Sequence, residues 1–398
     1  MLALRLSAYT VVSALGRGCS ATLDALRHTR SGLVRKTWET VTLDTCIGEV
    51  EGLDDFVLRE DLAAFDCRNN RLAQMALESD GFAEAVRAAI ARHGASRVGV
   101  FLGTSTSGIL SSEIAFREPH RAHDTGVWAT HDYRRTHNTY SVGDFVRSYF
   151  GLEGPAWVAS TACSSSAKVF ADAQRMMACG LIDAAIVGGV DTLCLTTLYG
   201  FNSLQLVSGQ ACRPYDAARD GISIGEAGAF ILVERGELAQ PGDILMTGVG
   251  ESSDAHHMSS PHPEGLGARN AMQAALDMAG LTPADIGYIN LHGTATPSND
   301  AAEGKGVAGL FGGQTPCSST KGHTGHTLGA AGGVEAIVCA LALEHGFAPA
   351  GAGTTHVDES IPVNYLLENL NLPLRHVLSN SFGFGGSNAS LVLSKAEG

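Results

Sequence analysis

Short apolar runs rich in β-branched residues recur along the chain and alternate with stretches whose small and apolar residues fall at helical spacing. The runs lie at 97–103 (RVGVFLG), 156–160 (AWVAS), 183–190 (DAAIVGGV), 243–249 (DILMTGV), 286–291 (IGYINL) and 376–381 (HVLSNS). Strands separated by helices predict an α/β protein. The opening segment, MLALRLSAYTVVSALGRG, is briefly apolar, but Arg5 interrupts it and no cleavage pattern follows, so it predicts a first strand and not a signal peptide. No stretch reaches the roughly 20 uninterrupted apolar residues of a membrane helix, and no membrane association is expected.

One helix is marked on both sides. Residues 164–180, SSSAKVFADAQRMMACG, run from a serine cap to a glycine stop. Lys168, Asp172 and Arg175 share one narrow stripe, and apolar residues cover most of the remaining surface. A helix apolar nearly all round is a buried one. Cys163 stands where the 156–160 strand gives way to this helix, beside free backbone N–H groups and the positive end of the helix dipole. Such a setting predicts a nucleophile, with a thiol pKa lowered from about 8.5 and N–H groups able to hold a thioester oxyanion.

The second half of the chain supplies further polar groups. IGYINLHGTATPSND places His292 at the end of a predicted strand, and CSSTKGHTGHTLGAAGGVEAIVCALALEHG puts Lys321, His323 and His326 in a turn that opens an apolar helix. Glu335 is the only charge between Lys321 and Glu344. A buried carboxylate needs a cation or donors, so Glu335 is expected to pair with Lys321, fix the turn and tune His326. His323 reads equally well as a satisfied core residue. The His323–His326 pair has no carboxylate or thiolate at a ligand-like offset, so no metal site is expected.

Two pairs of segments echo one another. VASTACSSSAKVF (158–170) and CSSTKGHTGHTLGAAGG (317–333) both pass through a Ser/Thr turn into an apolar helix; GISIGEAGAFILVE (221–234) and SNSFGFGGSNASLVLS (379–394) both pass from a glycine-rich turn into an apolar strand. The pattern implies two duplicated halves, 1–240 with the cysteine and 241–398 with the histidines, joined near PGD at 241–243.

Composition narrows the function. The chain has 398 residues, 44% hydrophobic and 17% charged, enough for a large core. A net charge of −14 without any basic run argues against nucleic acid as a partner. The nine cysteines (19, 46, 67, 163, 179, 194, 212, 317 and 339) are scattered and form no CxxC pair, which suits free thiols in a reducing, cytoplasmic setting.

STACSSSA, NLHGTATPSND, SSTKGHTGHTLGAAGG and SNSFGFGGSNASLVLS, in this order and spacing, resemble the β-ketoacyl-[acyl-carrier-protein] synthases I and II of the thiolase superfamily. The likeness extends to GVDTLCLTTLYGFNSLQLVS, CRPYDAARDGISIGEAGAFILVE and SSDAHHMSSPHPEG, and so covers nearly the whole chain. It implies a duplicated five-layered α-β-α-β-α fold and a homodimer, or a heterodimer with a ketosynthase-like subunit. It also implies decarboxylative condensation of an acyl thioester with malonyl thioester, both delivered by acyl carrier protein. Cys163 would take the acyl group, while His292 and His326 would bind the malonyl thioester and stabilise its enolate, with Lys321 and Glu335 in support. Thr294 and Thr296 would hydrogen-bond the phosphopantetheine arm, which the carrier brings, so that no cofactor is needed. Phe384 would gate the acyl pocket and add its N–H to the oxyanion hole, Phe201 would line the pocket mouth, and Thr106 lies where pocket depth is set.

Some positions depart from that pattern. The segment LREDLAAFDCRNNR offers only Arg59, Arg68 and Arg71 where bacterial members cluster cations for docking the carrier, and His323 stands where a small or apolar residue is usual. Such drift suits a specialised pathway, for instance a polyene or polyketide cluster. GTSTSG and HGTATP also resemble the Ser and His motifs of subtilisin-like proteases, but in reversed order and without a leading Asp motif. A non-catalytic chain-length-factor subunit shares the fold but typically lacks the cysteine. A biosynthetic thiolase normally carries a second cysteine where this chain has GFGG.

Overall fold

The computed structural model describes residues 2–117 and 131–397. Ten strands form its frame: β1 (Leu4–Ser13), β2 (Val98–Gly103), β3 (Ala156–Ala159), β4 (Ala184–Asp191), β5 (Ala227–Arg235), β6 (Ile244–Ser253), β7 (Tyr288–Asn290), β8 (Pro316–Ser318), β9 (His376–Gly383) and β10 (Ser387–Lys395). All six apolar runs are strands. The 243–249 run continues to Ser253, and the 286–291 run shortens to Tyr288–Asn290 as the chain turns out of the sheet toward His292.

Strand order repeats. Outward from the centre, one half reads β1-β5-β4-β2-β3 and the other β6-β10-β9-β7-β8, so each half places its first, fifth, fourth, second and third strands in the same sequence. β1 and β6 meet through only two residue pairs, Leu4 with Met246 and Arg5 with Leu245. In each half the inner pairings are antiparallel and the outer ones parallel.

Three apolar clusters separate five layers. One lies between the first half's sheet and an outer layer of α1 (Arg68–Leu77), α2 (Phe82–His93) and α3 (Ser141–Phe150). The central cluster joins both sheets to α4 (Ser165–Ala178) and a later helix, Ala331–His345. The third covers the other sheet with α6 (Leu266–Ala279) and α7 (Pro297–Phe311), and Ala331–His345 is hereafter α8. Strands covered on both faces are apolar throughout: β5 sends Ala227, Ala229, Ile231 and Val233 to the centre and Phe230 and Leu232 outward. A further helix, α5 (Leu195–Ser203), flanks the pocket described below.

The helix beside Cys163 forms as its pattern predicts, and its Lys168 and Arg175 both reach Glu251. Ser164, however, caps nothing; its hydroxyl donates to Thr161 O at 2.9 Å. Residues 331–343 of α8 are all buried, so although Leu328–His345 is apolar and long enough to cross a membrane, it lies inside the protein. Glycine permits the close contact at the start of α4: a Cβ on Gly103 would stand 2.3 Å from Ser166 N. Gly103→Ala should therefore lower stability by about 1–3 kcal/mol, the usual cost of overpacking. A denaturation midpoint equal to that of the parent would contradict this packing.

Candidate active site

Three loops of the two halves converge. Cys163 lies in a single turn, Ala162–Ser164, between β3 and α4. His292 follows β7, and His326 sits between the turn Lys321–Thr324 and the turn Leu328–Ala330 that leads into α8. Each loop contains a non-glycine residue in the left-handed region: Ala162 (φ 54°), Ala295 (φ 67°) and Leu328 (φ 52°). Such conformations cost about 1–3 kcal/mol each and persist only where the surroundings hold them.

The sulfur and the two rings form one cluster. Cys163 Sγ is 3.0 Å from His326 Nε2, and the two imidazole centroids are 5.4 Å apart at 82°. All three residues are buried. The backbone N–H of Leu328 faces His326 Nδ1 at 3.3 Å, and the ammonium of Lys321 faces His292 Nδ1 at 3.4 Å. Each of these groups can only donate, so Nδ1 accepts in both rings and the proton of each neutral imidazole sits on Nε2. Burial, reinforced by Lys321, holds both histidines well below the ordinary imidazole range. Two uncharged N–H donors thus stand beside the cysteine.

The thiol differs from the sequence-based expectation. Burial pushes Cys163 up to about 12, outweighing the pull of Lys321 and of the Phe384 N–H that points at the sulfur. The helix N-terminus does not offset this, because burial of the sulfur disfavours its charged form. The donor atoms of Cys163, His292 and His326 lie within 4.8 Å of one another, a set that zinc accepts. The Nδ1 contacts oppose it, because a metal would need the Nε2 lone pairs that these contacts keep protonated.

Lys321 and Glu335 form the expected buried pair. The lysine, though, serves His292 more directly than His326: besides the ring nitrogen it donates to the His292 carbonyl at 2.5 Å. Ser381 adds a contact to Glu335 Oε2 at 3.4 Å. Sequence reasoning missed Glu303, which lies inside α7 and accepts from the backbone N–H groups of His292 (2.7 Å) and Gly293 (2.8 Å) and from Asn380 (3.1 Å). Burial pushes its carboxyl up to about 7. Its charge, eleven positions after His292 in a helix that also carries Asp300 and Lys305, was the available signal.

A cleft opens from the cluster, and Thr294, Thr296, Phe201, Phe384, Leu206 and Ile222 are among its lining residues. The two threonine hydroxyls are 2.9 Å apart, and the rings of Phe201, on α5, and Phe384 are 5.5 Å apart. Thr106 is not among the lining residues. Its hydroxyl donates to the Asp191 carboxylate at 2.8 Å. His323 also lies outside the cavity, its ring nitrogens facing the carbonyls of Arg30 (2.7 Å) and Ala350 (3.0 Å).

Comparison with known proteins agrees with this arrangement. Residues 10–239 match the family described as Beta-ketoacyl synthase, N-terminal domain, and residues 245–355 match Beta-ketoacyl synthase, C-terminal domain. The chain belongs to the β-ketoacyl synthase family. The members of this acyltransferase family to which it is similar include the mitochondrial 3-oxoacyl-[acyl-carrier-protein] synthase of Arabidopsis thaliana, 38% identical over 62% of this chain and 58% of the plant protein's length. The 3-oxoacyl-[acyl-carrier-protein] synthase 2 of Staphylococcus aureus is 35% identical over 76% of each chain. A solved structure of a ketosynthase, ApeO, in complex with its chain length factor, ApeC, from Xenorhabdus doucetiae contains a chain 40% identical over 99% of this one and 98% of that one, with a TM-score of 0.91.

Two results follow from the site. Alkylation of Cys163 by iodoacetamide should accelerate with pH up to at least 10 without levelling, since the thiol titrates near 12; a plateau with a midpoint below 8 would contradict the burial argument. Glu335→Gln leaves the Lys321 ammonium buried without its counter-charge and should lower stability by about 3 kcal/mol. Unchanged stability and activity in that variant would remove the pair from the account.

Proposed function

We propose that the chain is a decarboxylating β-ketoacyl synthase that joins an acyl group carried on Cys163 to a malonyl unit, both delivered as acyl-carrier-protein thioesters. The observation that carries this reading is the pair of buried neutral imidazoles whose Nε2–H groups stand beside the Cys163 sulfur. In the first half-reaction the sulfur attacks the acyl thioester, the carbonyl oxygen takes up charge against the N–H groups of Cys163 and Phe384, and the thiol proton leaves with the carrier's thiol. In the second, the bond between the malonyl α-carbon and its carboxylate breaks and carbon dioxide departs. The electron pair passes into an enolate whose oxygen accepts from His292 and His326. That charge exists only as the bond breaks, so the two donors lower the barrier selectively. The enolate carbon then attacks the acyl-Cys163 carbonyl, and collapse expels the sulfur as a thiolate that takes up a proton from solvent to regain the thiol. Lys321, Glu335 and Glu303 hold the His292 loop, Thr294 and Thr296 would hydrogen-bond the phosphopantetheine arm, and the reaction would need no cofactor of the protein's own.

The partner and pathway are proposed more narrowly. β3 is an edge strand whose four residues are half-buried, which suits pairing with a second subunit. The ketosynthase–chain length factor complex similar to this chain favours a heterodimer and a polyketide-type or polyene pathway over housekeeping fatty-acid synthesis. The arginines of 58–71 fit an altered carrier interface: Arg59 pairs with Asp61, Arg71 with Asp66, and Arg68 is buried against Glu226. Nine free cysteines suit a reducing, cytoplasmic setting.

The test is a panel of acyl-carrier-protein thioesters followed by intact mass. One acyl group should attach to the parent and none to Cys163→Ala, and malonyl-carrier protein should then release carbon dioxide with a β-ketoacyl product. Attachment with no donor would favour the silent chain-length-factor role instead.

A further inference from the structure

The carboxylate of Asp191, the last residue of β4, gathers five donors from two loops. Oδ1 accepts from Thr104 Oγ1 (2.7 Å), Ser105 N (2.8 Å), Thr106 N (2.7 Å) and Thr106 Oγ1 (2.8 Å), and Oδ2 accepts from Gly329 N (2.5 Å). The side chain is fully buried, and among the described residues no cation pairs with it. We propose that Asp191 is a positioning residue for the condensation, a role that rests on the assignment of Cys163 and His326 given above.

Both of its attachments end on strained backbone. Ser105, held through its N–H by Asp191, donates its hydroxyl to the carbonyl of Ala162 at 3.2 Å, the left-handed residue immediately before Cys163. Gly329 follows Leu328, the left-handed residue whose N–H faces His326 Nδ1. One carboxylate therefore fastens the turn that aims the sulfur and the turn that sets the histidine tautomer. Three of the partners are backbone N–H groups, which can only donate, so the carboxyl group is held as an acceptor even though burial raises its pKa. The contact is also close in space: a Cβ on Gly329 would meet Asp191 Oδ2 at 2.7 Å and Ser105 N at 2.8 Å. The tie makes Thr106 part of the clamp, and its hydroxyl further accepts from Thr192 N at 3.1 Å.

Asp191→Asn keeps the shape but turns an amide N–H toward one of these donors. With malonyl-carrier protein and the acylated enzyme, kcat should fall about 10- to 100-fold, the scale expected when reacting groups are displaced by a fraction of an ångström to an ångström. KM for malonyl-carrier protein should stay within about threefold, because the loss falls on an interaction of the transition state. Thr106→Val, which deletes one donor and leaves the carboxylate, should lower kcat about threefold with the same split, and it decides the matter if Asp191→Asn does not fold. A parent enzyme that is active while the folded variants match it in kcat, or change only in KM, would overturn the role of Asp191 alone. A parent that releases no carbon dioxide would instead remove the condensing function, and this role with it.

Discussion

The site depends on keeping two imidazoles uncharged with their protons on Nε2, inside a protein that buries a lysine beside one of them. The Lys321 ammonium is tolerated because Glu335 neutralises it and the His292 carbonyl accepts one of its protons. Its remaining contact, to His292 Nδ1, both fixes the tautomer and keeps the ring from taking up a second proton. Leu328 N–H fixes the tautomer at His326 without adding charge. A cation and an amide thus orient the two rings in the same sense.

The same burial explains the state of the cysteine. In an exposed turn the N-terminus of α4 would favour thiolate. Here the sulfur is buried, so the charged form is disfavoured and the cysteine rests as a thiol. The duplication supplies the geometry: β3 leads into α4 and β8 leads toward α8, and these two related crossings bring Cys163 and His326 together from opposite halves.

Much of the frame was legible in the chain because its strands are buried on both faces and so read as unbroken apolar runs, as in AAIVGGV of β4. Cys163, His292 and His326 were legible because each stands where an apolar element meets a small-residue loop, and Glu335 because a charge in an apolar helix demands a partner. Asp191 was not, since its partners come from distant segments that leave no mark in composition; Glu303 showed its charge but not its contacts to the His292 loop. Nor were Ala162, Ala295 and Leu328, which carry left-handed backbone without a glycine to announce it. The contact of Thr106 was hidden for a related reason. Its hydroxyl is engaged by an acid 85 positions away, which sequence spacing cannot reveal.

The central claim concerns protons, so it is best measured on the imidazole nitrogens. In ¹⁵N-histidine NMR at neutral pH, comparison with His292→Ala and His326→Ala assigns the two rings. The account predicts that each gives one protonated Nε2 and one unprotonated Nδ1, unchanged as the pH falls through the ordinary imidazole range. Signals from an Nδ1–H tautomer, or from an imidazolium in either ring at neutral pH, would contradict it.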